Sequence, residues 1–343
     1  MNTQSFQPIY QRLLNYYRNR ILQQEYKPGD KIDSINKIMS RHKVSRDTAK
    51  LVLHKLNEEG LAVTINGRGT FVPHQTRINK TWAVIIPFFS SNMEHLLNCL
   101  NDEASNRSRQ FEYFLHYNNY KEETRLVTSL INKGYETVLV APNYDESKTT
   151  EFYSRLIPGK TKLLLIDNTM TQTSMNYVIQ SYDLGIKRAL DYIRQKTNKN
   201  ILFVKNEIWK GKNLLNELIE NSLFTYANNP TGQQRFITTG NVSAINRLFC
   251  EKQNIGGIIS HNDTNTAIIV GKLIQEGIKI PDELVIVNYG NTELTRYFTP
   301  ALTAIDCKYE KMATLVGEFI DTDSTEKKSF QFVIQPELII RNT

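Results

Sequence analysis

Residues 44–72, VSRDTAKLVLHKLNEEGLAVTINGRGTFV, restrict the fold of this chain more than any other stretch. Ser45 is a favourable N-cap, since its hydroxyl can accept from the backbone N–H of Thr48. Ala49, Val52, Leu53 and Leu56 then recur at i, i+3, i+4 and i+7, which is one buried helical stripe. Gly60 supplies a left-handed stop to that helix. Two short extended runs follow, Leu61–Ile65 and Thr70–Pro73, joined by Asn66, Gly67, Arg68 and Gly69. Asn-Gly between such runs is the strongest short hairpin signal. The pattern predicts a capped helix followed by a two-stranded wing with an arginine at its tip.

The preceding residues extend the unit. In PIYQRLLNYYRNRILQQ (8–24), Pro8 is tolerated in a first helical turn, and Tyr10, Leu14, Tyr17 and Ile21 make an apolar stripe. Residues 25–30 are a turn, and Ser34 opens a short helix carrying Ile35, Ile38 and Met39. The order is helix, turn, helix, turn, helix, wing. Charge is concentrated in the same region. Residues 1–80 hold 14 Lys and Arg against 6 Asp and Glu, leaving 28 against 29 for the rest of the chain's 42 and 35. A basic surface on one small domain is the electrostatic footprint of a polyanion. Arg46, Thr48 and Lys50 lie at the exposed N-terminal end of the third helix, the end that recognition helices push toward base edges.

These pieces, PIYQRLLNYYRNRILQQEYKPGDKI, VSRDTAK, LNEEGLA and GRGTFV, resemble the winged helix of the GntR family of bacterial transcription regulators. The resemblance implies binding to a double-stranded DNA operator through Ser45, Arg46, Asp47, Thr48, Lys50, Gly67, Arg68 and Gly69. Arg46 and Thr48 would meet bases. Asp47 would either accept from a cytosine amino group or complement the helix dipole. Lys50 would reach phosphate, and Arg68 the minor groove. The chain departs from the family at Asn36, where an arginine is usual, and at Asp47, where threonine is common.

The rest of the chain reads differently. Residues 73–81 are polar and aperiodic, which predicts an interdomain linker over 74–81 between a DNA-binding domain at 1–73 and an effector and dimerisation domain at 82–343. From Trp82, short apolar runs (WAVIIPF, FEYFLHY, TVLVAP, KLLLID, NILFVK, RFITTG, GGIIS, LVIVNYG) alternate with helical patterns. Such alternation means parallel βαβ units. The expected fold class is α/β: an N-terminal winged helix-turn-helix domain plus a two-lobed, doubly wound parallel-sheet domain. Cys99, Cys250 and Cys307 are far apart and lack metal-ligand spacing, which suggests buried thiols. No export signal or membrane-length apolar run is visible, so the reading predicts a cytoplasmic protein.

Residues 257–305, with Asn262-Asp263, Ala267, Gly277, Ile280-Pro281-Asp282, LVIVNYG and TPALTAI, are similar to the closing half of the LacI/GalR-type effector domain, whose fold is that of periplasmic sugar-binding proteins. The resemblance implies three chain crossings between lobes, near 195–200, near 303–308 and near 318–330. It also implies a homodimer and a small-molecule effector, a sugar or sugar derivative. In doubly wound sheets, ligands sit beyond the carboxyl ends of the strands. Strand-end position and the resemblance together nominate Phe89, Ser90, Ser91, Asn143, Ser181, Trp209, Lys210, Asp263, Asn291 and Tyr309 as effector-binding. Asp263 has an alternative role, capping a helix that starts near Thr264. After Tyr289 the family often has an aspartate that holds sugar hydroxyls, whereas this chain has Gly290 and then Asn291. With Lys210 nearby, that departure leaves a phosphorylated or uronic sugar open. No HExxH, P-loop, GxSxG or GxGxxG pattern appears, so no enzyme, cofactor or metal is expected. The expectation is a sugar-responsive regulator released from its operator by effector. A ligand-activated activator and a sugar-binding protein without a regulatory role are the alternatives.

Overall fold

The computed structural model describes residues 8–23, 25–73, 79–142, 146–156, 158–168, 173–204, 236–322 and 329–343. The first unit is built from α1 (Ile9–Leu22), α2 (Ile35–His42), α3 (Arg46–Glu58), β1 (Val63–Ile65) and β2 (Gly69–Phe71). Its core is Leu14, Tyr17, Ile21, Ile38, Ala49, Val52, Leu53, Leu56 and Leu61, so the periodic stripes face inward. Tyr10 packs at the edge of this core rather than inside it.

Helix α3 ends in a Schellman motif. Leu61 N–H donates to the Leu56 carbonyl at 2.9 Å and Gly60 N–H to that of Asn57 at 3.0 Å, with Gly60 at φ +67°. A Cβ on Gly60 would stand 3.2 Å from the Ser129 carbonyl oxygen, so this turn rests against the next unit. In the wing, Ile65 pairs with Gly69, which makes a three-residue connection. Arg68 N–H donates to the Ile65 carbonyl at 3.0 Å with Gly67 at φ +75°, a type II turn rather than the primed turn that Asn-Gly favours. Asn57 donates to Thr64 Oγ1 at 2.8 Å and ties the wing to α3.

The remainder holds two six-stranded sheets. The first is β3 (Asn79–Ile86), β4 (Gln110–Leu115), β5 (Tyr135–Val140), β6 (Lys162–Asp167), β7 (Tyr177–Gln180) and β13 (Gln331–Ile334), ordered β13-β7-β6-β5-β3-β4 and parallel throughout. The second is β8 (Asn200–Val204), β9 (Phe236–Thr239), β10 (Ile255–Ser260), β11 (Val285–Tyr289), β12 (Thr303–Asp306) and β14 (Glu337–Ile339), ordered β14-β12-β11-β10-β8-β9. Only β14 in that sheet runs antiparallel to its neighbour. Strand β3 begins at Asn79, inside the stretch read as linker.

Helices α4 (Ser91–Asn106), α5 (Tyr120–Asn132), α6 (Glu146–Arg155) and α11 (Tyr309–Asp321) belong with the first sheet. Helices α7 (Tyr182–Lys196), α8 (Arg247–Lys252), α9 (Asp263–Gln275) and α10 (Glu293–Tyr297) belong with the second. The chain therefore crosses at Gln180–Tyr182, at Asp306–Tyr309 and at Ile334–Glu337. The middle crossing is where the sequence places it, and the other two are not. Helix α7 packs its Ile186, Leu190 and Ile193 stripe on the second lobe, so the first crossing precedes that helix instead of following it. The third lies beyond the short strand β13. No helix among the described residues is long and apolar enough to span a membrane.

Candidate functional site

Two surfaces carry chemistry. The first is the outer end of α3 with the wing. Ser45 caps the helix as the sequence requires, accepting from Thr48 N–H at 3.2 Å and lying 2.9 Å from the Thr48 hydroxyl. Arg46, Asp47 and Lys50 are exposed around that cap, as are Gly67 and Arg68 at the wing tip. The wing-tip glycines differ in what they require. A Cβ on Gly67 would meet nothing within 4 Å, whereas one on Gly69 (φ +118°) would stand 2.6 Å from Lys31 Cε. Gly67 thus leaves the tip open to an approaching backbone, and Gly69 makes room for Lys31 over the Phe71 ring.

The basic charge is not all available at this face. Arg18 pairs with Glu59, Arg20 with Glu25, and Lys55 with Glu58. Lys37 and Arg41 both close on Asp33, which is only 4% exposed. Tyr17 Oη donates to the same carboxylate at 3.0 Å. Burial raises the Asp33 carboxyl, but the hydrogen bonds from Lys37 and Tyr17 and the charge of Arg41 outweigh it and hold the group below the ordinary range. Arg46, Lys50 and Arg68 have no such acidic partner among the described residues. Nothing in the sequence pattern singled out Asp33; an acidic residue just before a helix cap reads as solvent-exposed.

The second surface is a cavity between the lobes, walled by Phe88, Ser90, Ser91, Asn92 and Met93 from the end of β3 and the start of α4, by Asp167, Gln180, Tyr182 and Tyr309 around the crossings, and by His261, Asn262, Asp263 and Tyr289 from the second lobe. About 20 Å³ of it is open, room for one water-sized group, so the lobes stand closed on each other. Two contacts latch them. Asn92 Nδ2 donates to the Tyr289 carbonyl at 3.1 Å, and Tyr289 Oη donates to Gln180 Oε1 at 3.3 Å. The Tyr182 and Tyr289 rings stack at 5.5 Å, and the His261 ring also stacks on Tyr289 at 5.4 Å. Gly290 is what admits Asn92: at φ +125°, its Cβ would lie 2.1 Å from Asn92 Oδ1.

Two buried carboxylates face this cavity. Asp167, at the end of β6, accepts from Gln180 Nε2 at 2.7 Å and from Tyr182 Oη at 3.0 Å. Asp263 accepts from Asn288 Nδ2 at 2.8 Å and from the Thr292 hydroxyl. Burial raises both carboxyls, only partly opposed by those hydrogen bonds. Burial lowers His261 to about 4, so its imidazole is neutral at pH 7. Asn92 Oδ1, packed against Gly290, is buried without a partner among the described groups. Tyrosine faces, neutral amides and carboxylate acceptors of fixed direction suit a ligand rich in hydroxyls.

The sequence-derived residues divide accordingly. Ser90, Ser91, Asp263 and Tyr309 line the cavity. Asp263 is the first residue of α9, and Asn262, not Asp263, caps it by accepting from Asn265 N–H at 2.9 Å. Phe89 turns away, half exposed, with its ring 6.1 Å from that of Tyr113, and Phe88 takes its place. Ser181 caps α7, and its neighbours Gln180 and Tyr182 reach the cavity instead. Asn291 is held by Arg341 at 2.6 Å and donates to Asp306 at 3.2 Å, outside the lining. Asn143, Trp209 and Lys210 lie outside the described residues. Gln180 and Tyr182 were missed because β7 is only four residues long and was not read as a strand.

Comparison with known proteins agrees with this architecture. Residues 9–72 match the model for bacterial regulatory proteins of the gntR family, and residues 217–343 match a periplasmic binding protein-like domain. The HTH-type transcriptional repressor PurR of Vibrio parahaemolyticus is 36% identical over 90 residues, 25% of this chain and 26% of that protein. The chain thus spans about a quarter of that relative. The arabinose metabolism transcriptional repressor of Geobacillus stearothermophilus is 21% identical over 98% of this chain and 97% of its own length. Among solved structures, a periplasmic binding protein/LacI transcriptional regulator from Alkaliphilus metalliredigens, complexed with D-xylulofuranose, covers 77% of this chain and 98% of its own at TM-score 0.63 and 17% identity. A complex of the transcriptional regulator CelR with cellobiose covers 88% and 91% at TM-score 0.58 and 14% identity.

Proposed function

We propose that this chain, which joins a gntR-type DNA-binding domain to a periplasmic binding protein-like domain, is a sugar-responsive transcriptional repressor. In this reading it binds double-stranded operator DNA as a homodimer, is released by a sugar or sugar derivative, and catalyses no reaction. The observation that carries the reading is the closed cavity, whose polar walls come from both lobes of a chain that also presents an uncommitted basic helix end. A ligand that bridges such walls favours one lobe arrangement over another, and unequal binding to two states is what regulation requires. Among the described lining residues there are two carboxylates and no Lys or Arg, which favours a neutral polyhydroxylated effector over a phosphorylated or uronic one. The full-length similarity to an arabinose metabolism repressor supports the same class.

Arg46→Ala is expected to lose about 1–3 kcal/mol of specific operator affinity, the usual worth of a good base contact. Lys50→Ala is expected to weaken all sequences alike and to flatten the salt dependence by about one charge. Operator and random-sequence titrations at several salt concentrations separate the two. An unchanged specific-to-nonspecific ratio in Arg46→Ala would remove α3 from the base edges.

For the sensor, Asp263→Asn keeps shape and one acceptor but loses charge-assisted bonds, worth roughly 1.5–3 kcal/mol where made to a charged group. The sugar concentration needed for operator release should rise about tenfold or more, with sugar-free operator binding unchanged. Equal response in variant and wild type would take Asp263 out of the site. Failure of the wild type to respond to any neutral sugar would remove the sensor reading itself.

A further inference from the structure

We propose that His95, Cys99 and Glu310 form a binding site for a borderline divalent cation of the zinc type beside the effector cavity. His95 and Cys99 are i and i+4 on α4, which places them one above the other on one helix face. Glu310 is the second residue of α11, the helix packed along α4. His95 Nε2 lies 3.9 Å from Cys99 Sγ and 3.3 Å from Glu310 Oε1, and all three donor atoms fall within 4.8 Å of one another.

A tetrahedral zinc ion with bonds of about 2.0–2.3 Å sets its donors roughly 3.3–3.7 Å apart, so the donor atoms need move by only a few tenths of an ångström to about one. One imidazole, one thiolate and one carboxylate are a donor set for zinc rather than for magnesium or calcium, which take oxygen alone. Three protein ligands leave the fourth position to water. On binding, the Cys99 thiol gives its proton to solvent, and the His95–Glu310 contact is replaced by one bond from each to the ion.

The surroundings fit this use. The His95 ring packs 5.7 Å from the Tyr309 ring. Cys99 is half-buried, whereas Glu310 is exposed and free to swing as an ion enters. The position matters because α4 begins at the cavity residues Ser91–Met93 and α11 begins directly after the crossing at Asp306–Tyr309. An ion here pins two helices that carry one wall of the cavity and one strap of the hinge. The site is not legible from cysteine spacing or a local metal motif, because Glu310 lies more than 200 residues from His95 and Cys99.

Cobalt(II) is the probe. Titrated into the reduced, metal-stripped full chain, it should bind one equivalent with a near-ultraviolet thiolate-to-cobalt absorption and visible bands of a tetrahedral ion, all displaced by zinc. Cys99→Ser should abolish the near-ultraviolet band, and Cys250→Ser should retain it. His95→Gln and Glu310→Gln should each weaken zinc binding at least as much as the roughly 10–100-fold that loss of an outer-shell partner costs. Cys99→Ser is nearly isosteric and Glu310 is exposed, and operator binding confirms that each variant is folded. Absence of the thiolate band in the wild type, or its persistence in Cys99→Ser, would overturn the proposal.

Discussion

Gly290→Asp is expected to hold the two lobes apart and to raise the sugar concentration required for operator release by at least about tenfold. The substitution installs the carboxylate that the LacI/GalR resemblance leads one to expect at this position, so naive analogy predicts the opposite, a better sugar site. The geometry decides between them. A Cβ at residue 290 lies 2.1 Å from Asn92 Oδ1 and 2.7 Å from its Cγ, and the backbone stands at φ +125°, where only glycine is comfortable. Asn92 is buried and is held by its bond to the Tyr289 carbonyl, so it has nowhere to swing. Relief comes from opening the lobes, which breaks that bond and the Tyr289–Gln180 bond. Two hydrogen bonds at about 0.5–1.5 kcal/mol each disfavour closure by roughly 1–3 kcal/mol, and the steric overlap with Asn92 adds to that. An added hydroxyl contact of about 1 kcal/mol does not offset this. Small-angle scattering with saturating sugar should give a larger radius for the variant than for wild type. Asn92→Gly in the same chain should recover part of the response, because it restores the space. A Gly290→Asp protein that compacts and responds like wild type would show that the Asn92 contact does not limit closure.

How much of this was legible in the sequence depends on the range of the interaction. Local signals survived intact: the Ser45 cap, the Ala49–Leu56 stripe, the Gly60 stop and the wing all lie within a few residues of the groups that fix them. Alternation of strands and helices likewise exposed two doubly wound sheets. The crossings did not follow, because amphipathicity shows that α7 buries a face but not which sheet it buries it against. The cavity was half legible. Strand-end position found Ser90, Ser91 and Asp263, because the strand ends that carry them open onto the cavity. It failed for Phe89 by one residue, since a strand end fixes the location but not which of two alternating side chains points inward, and the family resemblance missed by one residue at Ser181. Asn291 was lost to Arg341, fifty positions away, and Asp33 was missed because its three partners converge only after α1 and α2 pack.

That buried carboxylate makes Asp33→Ala the most damaging single change expected in the DNA-binding unit, although it touches no residue of the reading face. Removing it takes from the Tyr17 hydroxyl, on a fully buried ring, the carboxylate it donates to and leaves it only His42 Nε2 at 3.2 Å. It also releases Lys37 and Arg41, whose like charges then face each other across one helical turn. Breaking a buried, paired charge costs about 3–5 kcal/mol, and the partial exposure of both cations here reduces that to roughly 2–4 kcal/mol. A unit of about 65 residues has only about 3–10 kcal/mol in total, so the variant should be largely unable to hold operator DNA at 37 °C. Acid should reproduce the effect in two stages. His42 is lowered by burial and by Arg41, so stability present above its unfolded value near 6.5 declines as pH falls through its folded value. Asp33 is also held low, so its contribution is complete above about pH 4 and is lost below it. Asp33→Asn should abolish the second stage and leave the first. The chain's two tryptophans, Trp82 and Trp209, lie outside residues 9–72, so their fluorescence reports on the effector domain while operator binding reports on the winged helix. Thermal melts followed by both readouts should therefore separate in Asp33→Ala: unchanged tryptophan melting with lost DNA binding. Wild-type operator affinity at 37 °C in that variant would show that the Asp33 cluster is not what holds α1 and α2 together.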